Sequence, residues 1–319
     1  MPLFGRKSDE ERHQEAAQDR QRGAAQRDQL LSQEALAAGG LPLQATRRLQ
    51  DLAAHPGIFT SDLSVDEFLL VKQAGFEPVT QVMGSSIYHV GFQTRGWSGW
   101  SGYGTQELQV VTRAMNHARE LALGRLQQEA TLAGADAVVG VRMTRGQYEW
   151  STDLIEFQAI GTAVRQHGRP KDGSPVLTNL SGQDFWKLVN AGYAPRGIVA
   201  ASSVFYVVAN WQTQGGGNWY GWGNQEMQNF TAGMYQARAG AMDRVHRQAA
   251  ASGAGGIVGV VIDRAAREVE VGMGNDVTRR DMIITFHVIG TAVTGRPNVI
   301  PRPQAVVSLD KSKEPKNEL

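Results

Sequence analysis

Apolar residues recur at steps of three and four across residues 106–133: Leu108, Val111, Met115, Ala118, Ala122, Leu126, Ala130 and Ala133. At about 3.6 residues per turn such steps keep side chains on one face, so the stretch predicts a long amphipathic helix. A short apolar run follows, Ala137-Val138-Val139-Gly140-Val141, and reads as a strand. About 120 residues later the pattern returns, with Met227, Phe230, Met234, Ala237, Ala241, Val245, Ala249 and Ser252 ahead of Ile257-Val258-Gly259-Val260. Both copies close on the same five residues, Ile160-Gly161-Thr162-Ala163-Val164 and Ile289-Gly290-Thr291-Ala292-Val293. The chain reads as a tandem duplication.

The rest of each copy aligns with this frame. Ser64 and Glu67 form a capping box before a short helix, and Ser181 with Asp184 is a shorter-armed version. Each short helix stops at an Ala-Gly pair, Ala74-Gly75 and Ala191-Gly192, where glycine supplies the left-handed cap. Residues 79–93 and 197–210 are rich in β-branched and aromatic side chains and read as strands. Loops of glycine and aromatics follow, with Trp97, Trp100 and Tyr103 in one and Trp219 and Trp222 in the other. After the second strand comes a hairpin connection, short in the first copy around Arg145-Gly146-Gln147 and about ten residues longer in the second, through 264–280. The last strands alternate Ile155, Phe157, Ala159 and Ile284, Phe286, Val288 on one face. The expected division is a charged, partly helical arm (1–55), a first domain (56–166), a linker (167–175), a second domain (176–294) and a Pro-rich, charged tail (295–319). In each copy a helix of about 42 Å covers only three strands. So small a sheet cannot bury both faces, and around 100 residues is little for independent stability. Sheet edges or helix flanks are therefore expected to meet those of neighbouring units.

Composition narrows the function classes. With 319 residues there is room for two ordinary domains, and the net charge of +1 argues against a dedicated nucleic-acid binder. The absence of cysteine excludes disulfides, thiolate metal sites and cysteine nucleophiles. No apolar run approaches the roughly 18 residues of a membrane span. The first residues lack the apolar core of a signal peptide, so a cytoplasmic location is expected.

Candidate chemistry is sparse. His89, His117 and His167 fall on a strand, a helix and the linker without chelating spacing, and the second copy has Tyr206 and Gln236 in place of the first two. No nucleophile elbow, zinc-protease helix or phosphate loop is present, so no enzyme is expected. The polar residues kept in both copies say more: Gln106-Glu107 with Gln225-Glu226, Arg119 with Arg238, and Arg125 with Arg244. Glu107 and Glu226 are placed in a first helical turn, where a carboxylate complements the helix dipole. The arginines reach either carboxylates on a neighbouring unit or solvent. The tryptophan loops are lids over their own sheet, subunit contacts, ligand-stacking surfaces or membrane contacts. Leu3-Phe4 beside Arg6 and Lys7 adds only a weak membrane anchor.

The helix with Ala118-Arg119, Arg125 and Glu129-Ala130, the run 132–142 and the closing Gly161-Thr162-Ala163-Val164 resemble the YbjQ-like family. The second copy departs from it at Gly255-Gly256, at Gln248 and in its longer hairpin. The resemblance implies an α+β fold of dodecin-like β-α-β-β units, each a small antiparallel sheet covered by one helix, and a ring-shaped homopentamer. The family carries a heavy-metal-binding label, so a metal is implied by that label alone. Five being odd, two-unit chains do not fill one five-unit ring; five chains in two stacked rings do. The leading expectation is a non-enzymatic, ring-forming assembly and binding protein, with contacts through Trp97, Trp100, Tyr103, Gln106, Glu107, Arg119, Trp219, Trp222, Gln225, Glu226 and Arg238. The alternatives are a heavy-metal-binding protein and a peripheral membrane adaptor.

Overall fold

The computed structural model describes residues 9–55, 57–90, 104–148, 151–168, 173–210, 226–272 and 278–295. The fold is α+β. Two helices lead, α1 (Asp9–Ala37) and α2 (Leu43–Ala54). The first half then runs α3 (Val65–Gln73), β1 (Phe76–His89), β2 (Gln106–Glu107), α4 (Gln109–Leu132), β3 (Ala137–Tyr148) and β4 (Ser151–Gln166). The second half runs β5 (Val176–Leu177), α5 (Gly182–Asn190), β6 (Tyr193–Val207), α6 (Gln228–Ala251), β7 (Gly256–Gly272) and β8 (Thr278–Gly295).

The three long strands of each half pair antiparallel in the same order, β1-β4-β3 and β6-β8-β7. Alternation along β4 and β8 turns Ile155, Phe157, Ala159 and Ile284, Phe286, Val288 inward under the long helices α4 and α6. Close approach is set by small residues. Gly84 lies under α4, where a Cβ would stand 2.0 Å from the Ala122 carbonyl oxygen. In the second half the small residue sits on the helix instead, as Gly233 against Val207. Gly140 (φ 70°) and Gly259 (φ 61°) take the left-handed conformation at register shifts in β3 and β7.

Each sheet gains a fourth strand from the other half. β2 pairs antiparallel with β6, through Gln106 with Tyr206 and Glu107 with Phe205. β5 pairs parallel with β3, through Ala137 with Val176 and Val138 with Leu177. Burial follows the exchange. One apolar cluster joins Leu108, Met115 and Phe157 to Val204, Tyr206 and Ile283, and another joins Val71, Phe76 and Val139 to Leu180 and Phe185.

Several expectations are corrected. The helix expected from 106 starts at Gln109, because the non-helical Leu108 (φ −80°, ψ 78°) carries Gln106 and Glu107 into the neighbouring sheet. Glu226 likewise precedes α6, so neither glutamate lies in a first helical turn. The extra residues of the second hairpin extend strands β7 and β8 rather than a loop. At the end of the expected arm, α2 buries Leu49, and Arg48 pairs with Glu129 of α4 at 2.9 Å. The capping box is present, with Ser64 accepting from the Glu67 amide and Glu67 from the Ser64 amide. Among the described residues, no helix is long and apolar enough to cross a membrane.

Candidate functional site

An edge strand presents unpaired amides and carbonyls at every second residue, and these need cover when buried. On β6 they belong to Ala200, Ser202, Val204 and Tyr206. The Ala200 amide donates to Gln248 Oε1 of its own helix at 2.9 Å. The first half covers the others. The Val204 carbonyl accepts from the Leu108 amide at 2.7 Å, and the Val204 amide donates to Thr112 Oγ1 at 3.0 Å. Asn116 clamps Ser202 from both sides, accepting its amide at 2.9 Å and donating to its carbonyl at 3.1 Å. Tyr206 pairs with Gln106 of β2. Thr112, Asn116 and Arg119 reach the strand together because steps of four and three share one helix flank.

Charge is distributed along the same seam. Glu107 accepts from Arg244 at 2.8 Å, from Ser203 Oγ at 3.0 Å and from Thr112 Oγ1 at 3.2 Å. Arg119, only 3% exposed, donates through Nη1 to Ser202 Oγ at 3.0 Å. Its Nη2 finds no hydrogen-bond acceptor among the described residues. Burial brings its pKa down to about 10. Ser202 Oγ lies 2.7 Å from His287 Nδ1, and Arg145 Nη1 lies 3.3 Å from His287 Nε2. An arginine only donates, so Nε2 is the acceptor and the ring carries its proton on Nδ1. Burial, then Arg145 and Arg119, push the His287 pKa down to about 3. At neutral pH this imidazole is a fixed hydrogen-bonding wedge between two sheets.

A second buried polar group lies toward the start of β8. Asp281, fully buried, takes both arms of Arg279, the Tyr206 hydroxyl and the Ala209 amide at 2.7 Å. Burial, reinforced by that carboxylate, pushes the Tyr206 pKa up to about 12. This fixes the end of β6 against β8.

The structure brings Gln106, Glu107 and Arg119 together at the seam, while Glu226 and Arg238 are exposed. Trp97, Trp100, Tyr103, Trp219, Trp222 and Gln225 lie outside the described residues. Ser202, His287 and Asp281 were missed by the sequence reading. His287 left no repeat signal, since Gln158 stands in its place in the first copy. Arg125 binds the carbonyls of Leu36, Gly40 and Ser85 rather than a carboxylate.

A metal fits poorly. Among the described residues no three histidines, aspartates or glutamates lie close enough to hold one. His117 packs edge-on against Tyr88, and His167 stands 3.3 Å from Glu77. His287 is flanked by two arginines, which repel a cation.

A family profile, YbjQ, whose description is "Putative heavy-metal-binding", matches residues 78–167. The "Encapsulin nanocompartment protein Rv1762c" of Mycobacterium tuberculosis is 42% identical over 265 residues, which is 79% of this chain and 92% of that protein. A "UPF0145 protein" of Latilactobacillus sakei is 41% identical over 59 residues, which is 18% of this chain and 53% of that one. Another, from Lactiplantibacillus plantarum, is 31% identical over 90 residues, covering 28% and 76%. No solved structure matches. The first half supplies the long amphipathic helix and closing strand on which the profile falls, and the match to the mycobacterial protein extends the kinship across most of both halves: the chain belongs to the YbjQ-like family.

Proposed function

We propose that the protein is a non-enzymatic subunit of a ring-shaped homo-oligomer, built from two YbjQ-like domains over residues 56–166 and 176–294. The observation that carries this reading is the exchange of β2 and β5. Each half lends a strand to its neighbour's sheet, so the unit of stability is a pair of adjacent repeats. The name of the mycobacterial relative, an encapsulin nanocompartment protein, also supports assembly.

Stoichiometry follows from parity. Two-repeat chains joined head to tail give an even number of repeats, so the five-unit ring implied by the family resemblance does not close on whole chains, and five chains give ten repeats. The repeats of one chain meet edge to edge, whereas stacked rings of first and second repeats need face-to-face contact. We therefore place the two kinds of repeat alternately around one ring. The tryptophan loops, which lie outside the described residues, are assigned in this reading to a ligand or a further partner. Native mass spectrometry of the purified protein tests the reading. A discrete species near five times 34.7 kDa is expected, and a chain that stays monomeric at micromolar concentration overturns it.

A further inference from the structure

The seam joins the helix side of the first half, α4 and the β3 edge, to the strand side of the second, the β6 edge and β5. The duplication places a second copy of each side on the same chain, and both copies are open. The first-half helix aligns with the second at an offset of 119 residues, and β1 aligns with β6 at 117. Position by position, what the seam buries is exposed at the open counterpart. Leu108 is 5% exposed and its counterpart Met227 49%. Val204 is 1% exposed and Ile87 59%, while Val141 is 3% exposed and Val260 41%. Arg119 is buried and Arg238 exposed.

Backbone pairing shows the same asymmetry. β7 ends its sheet with no strand on its outer edge among the described residues, although β3 receives β5 at the corresponding place. On β1 the first half's own helix satisfies only part of the edge, through Glu129 to the Met83 amide and Arg125 to the Ser85 carbonyl. The Ser85 and Ile87 amides have no counterpart of Asn116 and Thr112 over them among the described residues. A cleft of about 610 Å³, walled by Leu36, Leu41, Met83, Ile87 and Leu121, runs along this edge beside α1 and α2. Ahead of the first half's capping box, Phe59 is 45% exposed at the place where the second copy has Val176 of the strand that binds β3.

Resting on the assembly reading above, we infer that a second copy of this chain occupies these surfaces by repeating the internal seam. The N-terminal half of its α6 lies along the β1 edge, and its β7 edge receives residues 59–63. The occupant is another copy because the chain already displays both matching halves, one at each end. A contact between unlike surfaces leaves one of each free and propagates until a ring closes.

Two single variants and their mixture test this. Ile87→Asp spoils the strand side alone, and Val260→Lys spoils the helix side alone. Both residues are exposed, and circular dichroism confirms folding; Met83→Asp and Tyr235→Asp replace either one that fails to fold. In native mass spectrometry each variant by itself is expected at one chain mass, and the equimolar mixture at two, because one intact half of each kind remains. Variants that assemble like the unaltered chain, or a mixture that stays at one chain mass, overturn the inference while leaving homo-oligomerisation in place. An unaltered chain that is itself monomeric overturns both.

Discussion

Gly84 carries a constraint that no other residue type meets. A methyl group there would stand 2.0 Å from the Ala122 carbonyl oxygen and 2.4 Å from the Leu126 amide nitrogen, so α4 must lift off the sheet. Gly84→Ala is expected to cost about 1–3 kcal/mol or more, as overpacking does. Urea denaturation reads it directly, and an unchanged midpoint would show the helix sits less tightly than described. His287 contributes a pH dependence of definite sign. Its folded pKa, near 3, lies below the ordinary value of 6.5. The unfolded chain therefore binds the extra proton first, and stability falls as pH drops from about 6.5 toward 3. Between pH 7 and pH 5 the loss attributable to this ring is about 2 kcal/mol. His287→Gln should remove that part of the slope in denaturation curves taken at the two pH values. At this scale the sequence showed Arg119 through its repetition at Arg238. It did not show that Arg119 meets Ser202 and His287, because His287 is unique to the second half and folds in from 168 residues away.

The strands of two residues do more for the architecture than their length suggests. β2 and β5 are too short for any periodicity: the helical pattern runs on through Gln106-Glu107, and Val176-Leu177 carries no strand signal of its own. The long helices, the capping box and the inward faces of β4 and β8 were legible because each rests on several residues at a fixed step. Edge cover was not legible, since it joins a helix flank to a strand lying about 90 residues downstream. Thr112 shows what the cover is worth. Its hydroxyl accepts from the buried Val204 amide and donates to Glu107. Thr112→Val keeps the shape and strands that amide, at an expected cost of about 1–3 kcal/mol. The same change at Thr231, the counterpart on α6, should leave the stability of the isolated chain within about 0.5 kcal/mol. A urea comparison of the two changes in the Val260→Lys background, which holds the chain at one copy, separates a seam buried within the chain from a flank still open; equal losses there would contradict the difference described.

At the scale of the molecule, the duplication was readable from two identical pentapeptides, and the need for neighbours from how little three strands and one helix can enclose. Which edges would meet could not be read, because sequence similarity reports what the halves share and the seam depends on what each lends the other. The parallel pairing of β5 with β3 has a consequence for the order of events during synthesis. β3 and β4 leave the ribosome ahead of residues 176–177, so the first half emerges with a bare margin. It is closed only when the opening of the second half arrives, and Thr178 and Leu180 then accept the amides of Val141 and Gly140. A nascent chain stalled before that point carries an adhesive strand in a crowded polysome, where the nearest match is the same unfinished half on an adjacent ribosome.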